Sequence, residues 1–241
     1  MDSVRNMAKP DFMELPGCEP IPILHEDRSV LAVDKPRGWM LVPVSWQNTA
    51  RNLQAAINSS IAARVFWARS RGLKFLRYIH RLDADTTGVL LFAKSRGAVE
   101  TYSQMFEGRQ MEKTYLAVVS GTPLDVEWTC QFKLAPDPGQ VGRVKVDARR
   151  GKPAETHFRL MKSHEKFSLI EACPVTGRTH QIRVHLAEAG LPIMGDELYG
   201  SSADNLPLGL RAVQLAYFDP FIKKRVEIRA PTENFLKEYG F

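Results

Sequence analysis

The sequence predicts an α+β domain, and two observations carry that reading. Short apolar runs bounded by turn residues recur along most of the chain, whereas few stretches show the i, i+4, i+7 spacing of a helix face. Strands and helices do not alternate regularly, which argues against a doubly wound parallel sheet.

Residues 1 to about 20 are polar and broken by Pro10 and Pro16, and read as a loose extension ahead of a domain over 21–241. The stretch IPILHEDRSVLAVDKPRG has an apolar run, a polar turn from Glu26 to Ser29 and a second run from Val30 to Val33. It predicts a β-hairpin that ends in a Lys35-Pro36-x-Gly38 turn. Leu53, Ile57 and Ile61 fall on one helix face. The run over 88–94 has the length of a buried strand. Ser95 is placed to cap a following helix with Ala98, Tyr102, Met105 and Phe106 on its apolar side. Residues 115–119 are apolar on both faces, as in an inner strand. Further strands are expected at 128–134, 143–146, 156–160, 167–172, 213–217 and 226–228. Thr179 is expected to cap a helix carrying Ile182 and Leu186, which Gly190 ends. The stretch GSSADNLPLG, 200–209, reads as the most flexible loop.

With 241 residues and 44% hydrophobic content the chain can bury a sizeable core. Its net charge of +6 suits a polyanionic partner without requiring one. Cys18, Cys130 and Cys173 form no CxxC pair, so neither a zinc site nor a disulfide framework is indicated. The N-terminus lacks the apolar segment of a signal peptide, and no apolar run approaches the ~20 residues that span a bilayer. A monomer in a reducing, cytoplasmic setting is expected, away from membranes.

Two segments carry candidate chemistry. In YIHRLDADTTG, 78–88, a carboxylate sits between basic residues ahead of an apolar strand. By itself this is an ion-pair loop or, with His80, Asp83 and Asp85, a set of divalent-metal donors. In PVTGRTHQIRVH, 174–185, Gly177 permits a tight turn and Arg178, His180, Gln181 and Arg183 cluster at a helix start. That end favours anions, although solvated basic residues at a helix start look the same.

HRLDADTTG resembles the HRLDxxTSG motif of the RluA-type pseudouridine synthases. The resemblance takes in Lys35-Pro36-x-Gly38, the strand KTYLAVV at 113–119, GKPAET at 151–156 and TGRTHQIRVHLAEAGLPIMGDELYG at 176–200. The motifs stand in family order and span roughly residues 20 to 230. The resemblance implies the pseudouridine synthase fold, a mostly antiparallel mixed sheet with flanking helices and a central active-site cleft. It also implies isomerisation of specific uridines in ribosomal or transfer RNA, with no cofactor and no metal. Asp83 is then the catalytic aspartate and Arg183 its ion-pair partner. Tyr115 is the ring that stacks on uracil, and Arg81 the side chain that fills the place of the flipped-out nucleotide. His80, Arg178 and His180 are given supporting contacts to RNA. Thr87 stands for the motif's serine and keeps its hydroxyl. Arg211 and Asp219 stand where histidines are usual, at a site expected to be peripheral.

The chemistry fits those groups. A carboxylate can act as a covalent nucleophile, burial under a base raises its pKa, and a neighbouring guanidinium lowers it again. Residues 64–81 hold Arg64, Arg69, Arg71, Lys74, Arg77 and Arg81 and no acid, which leaves 27 basic against 27 acidic residues elsewhere. With Phe66, Trp67, Phe75 and Tyr78 interleaved, this stretch reads as an RNA-docking surface through Arg69, Arg71 and Lys74. Residues 143–152 are the next candidate. Two rival functions remain at this point. A non-catalytic RNA-binding module or RNA chaperone has no use for an Asp83–Arg183 pair, and a metal-dependent phosphoesterase lacks a convincing further ligand.

Overall fold

The fold is described from a computed structural model, for residues 8–41, 51–164, 166–200 and 206–241. In chain order its first half runs β1 (Phe12–Met13), β2 (Ile21–Glu26), β3 (Val30–Lys35), α1 (Leu53–Ala62), α2 (Phe66–Arg69), β4 (Arg77–Tyr78), β5 (Thr87–Ala93), α3 (Arg96–Glu107) and β6 (Glu112–Ser120). The second half runs β7 (Glu127–Pro136), β8 (Val144–Val146), β9 (Lys152–Ser163), β10 (Phe167–Pro174), α4 (Gln181–Glu188), β11 (Leu210–Phe218), β12 (Arg225–Arg229) and α5 (Glu233–Glu238). The strands form one sheet in the order β1-β2-β3-β5-β11-β6-β10-β9-β7-β8, with β4 added on β5 and β12 on β11. Among the described residues every pairing between these strands is antiparallel except β5 with β11. The expected mostly antiparallel mixed sheet is the one observed.

Alternation along the central strands explains why they read as continuous apolar runs. Leu31 and Val33 of β3 and Leu90 and Phe92 of β5 face a core shared with Leu53, Ile57 and Trp67. Their neighbours Val30, Ala32, Val89, Leu91 and Ala93 face the opposite core, under Ala98, Tyr102 and Met105 of α3. Both faces are therefore covered, and each fully buried leucine or phenylalanine contributes about 1.5–3 kcal/mol. A third cluster holds α4 against β6 and β10 through Ala117, Val119, Ile170, Ile182 and Leu186. Ser95 caps α3 as expected, accepting from the Ala98 amide at 3.2 Å.

Two local readings differ. Residues 12–15 are no loose extension: Phe12 and Met13 pair with Pro22 and Ile21, and Met13 and Leu15 are in the core. Thr179 does not cap α4. The cap position is His180, in the left-handed region at φ 53 and without a side-chain cap bond. Much of the loop read as flexible, residues 201–205, lies outside the described residues. Arg211 and Asp219, expected at a site peripheral to the catalytic one, are buried anchors of the scaffold. Arg211 pairs with Asp34 at 2.6 Å, and Asp219 accepts from Tyr102 and from the Phe221 and Ile222 amides.

Gly88 shows why the site lies where it does. It has φ +109, and a Cβ there would stand 2.0 Å from the Ala212 carbonyl oxygen. Only glycine lets β5 and β11 approach in parallel here, directly after the loop that carries Asp83.

Candidate active site

Asp83 sits on the loop that enters β5, and buried polar contacts hold that loop from below. The fully buried Lys35 at the end of β3 donates from Nζ to the carbonyls of Ala84 at 2.6 Å, Thr86 at 2.9 Å and Pro36 at 3.0 Å. Gly38 adds a backbone bond to the Ala84 carbonyl at 2.9 Å. Burial pulls the Lys35 ammonium down to about 7, against the pull of Asp85 and Asp83. The Lys-Pro-x-Gly turn thus supports the loop, a role that sequence reading missed. Its signal was a lysine at the end of a strand whose first four residues are apolar.

Arg183, from the first turn of α4, reaches Asp83 Oδ2 with Nη1 at 3.2 Å. Its other nitrogens grip the buried Asp196, Nε to Oδ2 and Nη2 to Oδ1, both at 2.7 Å. Asp196 also accepts the amides of Leu198 and Tyr199. Burial opposes the charge on Arg183, but the Asp196 and Asp83 carboxylates outweigh it and hold the guanidinium protonated. Asp196 was also missed; its signal was a carboxylate pair, Asp196-Glu197, just after the apolar run Leu-Pro-Ile-Met.

Tyr115, in β6, stands in register between Ala172 of β10 and Ala212 of β11. Register partners share a face, so Tyr115 is flanked by two alanines, and its ring packs half-buried against the two core clusters on either side. Burial and the nearby Asp83 charge push the Tyr115 phenol up, so it stays protonated at neutral pH. Lys113, two residues earlier, ties β6 to the loop before α4 through the Thr176 carbonyl at 3.1 Å.

His180 lies within 3.8 Å of Asp83 Oδ2 through Nε2, while Nδ1 meets the Tyr199 hydroxyl at 2.9 Å. Gln181 does not reach outward. Its amide group is spent on Thr176, Glu155, Thr156 and the Arg178 amide, pinning the turn to β9. The anion-capture reading of this helix start therefore loses two donors, Gln181 and Arg183. Arg178 is exposed, with Nε on the Pro153 carbonyl, and Arg81 is exposed beside Asp83 with no ion pair among the described residues.

The remaining expected contacts separate. His80 is not turned to the surface: Nε2 accepts the Leu91 amide and the ring stacks on Phe106 at 4.7 Å. Burial holds its pKa at about 3, so it is neutral and structural. With Nε2 taken by that amide it is not offered to a metal through this nitrogen, and the described residues contain no group of three or more His, Cys, Asp or Glu placed to hold an ion. Arg71 is likewise unavailable to phosphate. It pairs with Glu26 at 2.9 Å and donates to the Pro10 carbonyl at 2.6 Å, its side chain 3% exposed. Trp67 is wholly buried in the core. Arg69 and Lys74 are exposed, but their segment packs against the β1 edge of the sheet. Three strand steps separate β1 from β5.

Residues 29–188 match the family model described as RNA pseudouridylate synthase. The chain belongs to that family. The synthase is 33% identical to the ribosomal large subunit pseudouridine synthase C of Vibrio cholerae over 90% of its own length and 67% of the relative's. It is 38% identical to the mouse pseudouridylate synthase RPUSD2 over 77% of its length and 31% of the relative's. Among solved structures, human RNA pseudouridylate synthase domain containing 1 superposes with TM-score 0.70 at 26% identity, covering 91% of this chain and 86% of that one. The synthase is thus an RNA isomerase. No helix among its described residues is long and apolar enough to cross a membrane.

Proposed function

We propose that the synthase converts specific uridines of ribosomal RNA to pseudouridine, with Asp83 as the catalytic carboxylate and without metal or organic cofactor. One juxtaposition carries the reading. Asp83 is held through Oδ2 by the buried Arg183, and its charge reaches the Tyr115 phenol, whose strand neighbours in register are Ala172 and Ala212. The reaction breaks the bond from N1 to C1′, turns the base and joins C5 to C1′. C5 loses a proton, N1 gains one, and no electrons are imported. Such a sequence needs an ionised carboxylate, a flat pocket for the detached base and exclusion of water. Arg183 sets a guanidinium 3.2 Å from the carboxylate that would act under the base.

A stacked uridine must first leave its helix, at a cost of a few kcal/mol. Arg81 is exposed next to Asp83 and suits the vacancy. Stacking on Tyr115 contributes ~1–3 kcal/mol. The large-subunit relatives support ribosomal rather than transfer RNA, and three unpaired cysteines suit a cytoplasmic enzyme. Comparing pseudouridine maps of rRNA and tRNA from cells with and without the gene tests the assignment. A site lost from rRNA upholds it, and losses confined to tRNA overturn the choice of RNA.

The Tyr115 role has its own test. Tyr115→Ala is expected to lower kcat/KM about tenfold to a hundredfold, and Tyr115→Phe less than about threefold. Equal losses would show that the hydroxyl, not the ring face, is needed.

The RNA path is proposed to cross β8 and the β8–β9 turn rather than residues 64–77. Between Arg143 and Lys152 the chain has Arg143, Lys145, Arg149, Arg150 and Lys152 against one acid, Asp147. Asp147 accepts the Arg149 and Arg150 amides and so shapes the turn that exposes both side chains. This arm touches the site directly, through Arg178 on Pro153 and Val144 on Tyr199. Replacing Arg149, Arg150 and Lys152 with glutamine is expected to raise KM and flatten the salt slope of binding by about two to three units. The pair Arg69→Gln and Lys74→Gln is expected to leave the slope unchanged. The reverse result in binding titrations at several salt concentrations restores 64–77 as the docking surface.

A further inference from the structure

We infer that His180 and Tyr199 form a positioning pair that turns Asp83 so that Oδ1, not Oδ2, is the oxygen that meets the substrate. This rests on the reading of Asp83 as the reacting carboxylate. Both neighbours of the carboxylate address the same oxygen: Arg183 Nη1 stands 3.2 Å and His180 Nε2 3.8 Å from Oδ2. Oδ1 accepts no hydrogen bond from the described residues. An oxygen whose lone pairs face a guanidinium is the weaker nucleophile and base, so the reactive face is Oδ1.

The proton positions follow from the partners. The Tyr199 oxygen accepts the Val144 amide at 2.8 Å, which leaves its own O–H free to donate to His180 Nδ1 at 2.9 Å. In the opposite arrangement Nδ1 would carry the proton, and the Nε2 lone pair would face a carboxylate. The favoured tautomer therefore puts N–H on Nε2, aimed at Asp83. At 3.8 Å this is an electrostatic approach rather than a hydrogen bond, and such contacts commonly tighten when substrate binds. Burial and Arg183 both act against a second proton on the ring, outweighing Asp83 and Asp196.

The backbone supports the assignment. His180 takes φ 53, a conformation that non-glycine residues seldom adopt, and from there its imidazole reaches both groups. Tyr199 stands behind both neighbours of the carboxylate, with its ring edge-on to His180 at 5.6 Å and the Arg183 guanidinium over its face at 5.2 Å. Strand β8 in turn holds the Tyr199 hydroxyl through Val144.

Glutamine can present an N–H near the position of His180 Nε2 without needing a partner at Nδ1. Four variants therefore separate a positioning role from a merely structural one. Tyr199→Phe, which keeps the ring, is expected to lower kcat about tenfold with KM unchanged, as for loss of a bond that orients a charged group. His180→Ala should lose at least as much, and His180→Gln should recover most of it. In the His180→Gln background, adding Tyr199→Phe should cost nothing further, because the relay it breaks is already bypassed. Turnover is read by release of tritium from 5-labelled uridine in RNA, with thermal melts on each variant. Additive losses, a His180→Gln enzyme no better than His180→Ala, or losses that track melting temperature overturn the inference. Unchanged kcat in Tyr199→Phe and His180→Ala, with Asp83→Asn inactive, overturns it while leaving the Asp83 reading intact. Turnover by Asp83→Asn overturns both.

Discussion

Asp83→Asn is expected to lower pseudouridine formation by at least about 10³-fold while leaving the fold and RNA affinity close to wild type. The magnitude is that of removing a nucleophile from an active site built around it. The variant keeps the shape of the side chain and loses only its charge. Arg183 is not stranded by the change, because Asp196 still takes Nε and Nη2 at 2.7 Å. Asp83 is itself 28% exposed, so its ion pair contributes only about 0–1 kcal/mol to folding. Stability and catalysis should therefore separate cleanly in this one substitution. Melting temperature, filter binding and tritium release measured on the same preparation check it. Wild-type turnover is expected to continue in excess chelator. Substantial turnover by Asp83→Asn, or loss of wild-type turnover on chelation, sinks the proposed assignment.

Asp196→Ala is expected to be the most destabilising change at the site, by about 3–5 kcal/mol. Asp196 has a side-chain exposure of 0%, and it neutralises Arg183 through two short bonds while accepting the Leu198 and Tyr199 amides. Its removal leaves a buried guanidinium with only the 3.2 Å contact to Asp83 and the face of the Tyr199 ring, and leaves two backbone donors unpaired. For a domain of this size that loss lowers the melting temperature by about 10 °C. Turnover should fall too, since a guanidinium freed from Asp196 no longer approaches Asp83 from a fixed direction. A double variant, Arg183→Met with Asp196→Leu, should be more stable than Asp196→Ala, because the buried charge goes with its partner. A double variant less stable than the single one would falsify this account of the pair.

Much of the scaffold was legible because its elements are long enough to show a period. The runs at 30–33, 88–94 and 115–119 lie in β3, β5 and β6, where burial on both faces demands continuous apolar residues. Ser95 and the apolar stripe of α3 were readable for the same local reason. The two-residue strands β1 and β4, the four-residue α2 and the six-residue α5 escaped. Elements so short carry less than two turns or two alternations of signal. The Thr179 cap failed because a left-handed His180 starts α4 instead, a choice made by its contacts rather than by propensity.

The sequence alone determined the α+β class and the order of the motifs, and it named the residues proposed for the site, Asp83, Tyr115 and Arg183 among them. Those depend on local patterns and on resemblance, which a linear string carries. Only the tertiary structure decided which charges are free. Arg71 and Arg149 look alike in sequence, yet one is sealed by Glu26 from 45 residues away and the other stands exposed on a turn. His80 and His180 lie in equally basic segments, yet Phe106 and the Leu91 amide absorb the first, while Tyr199 and Asp83 meet the second. A side chain's ionisation and reach depend on burial and on partners brought together by folding, and Arg183 reaches Asp83 across 100 residues of chain. That information exists only once the sheet has assembled.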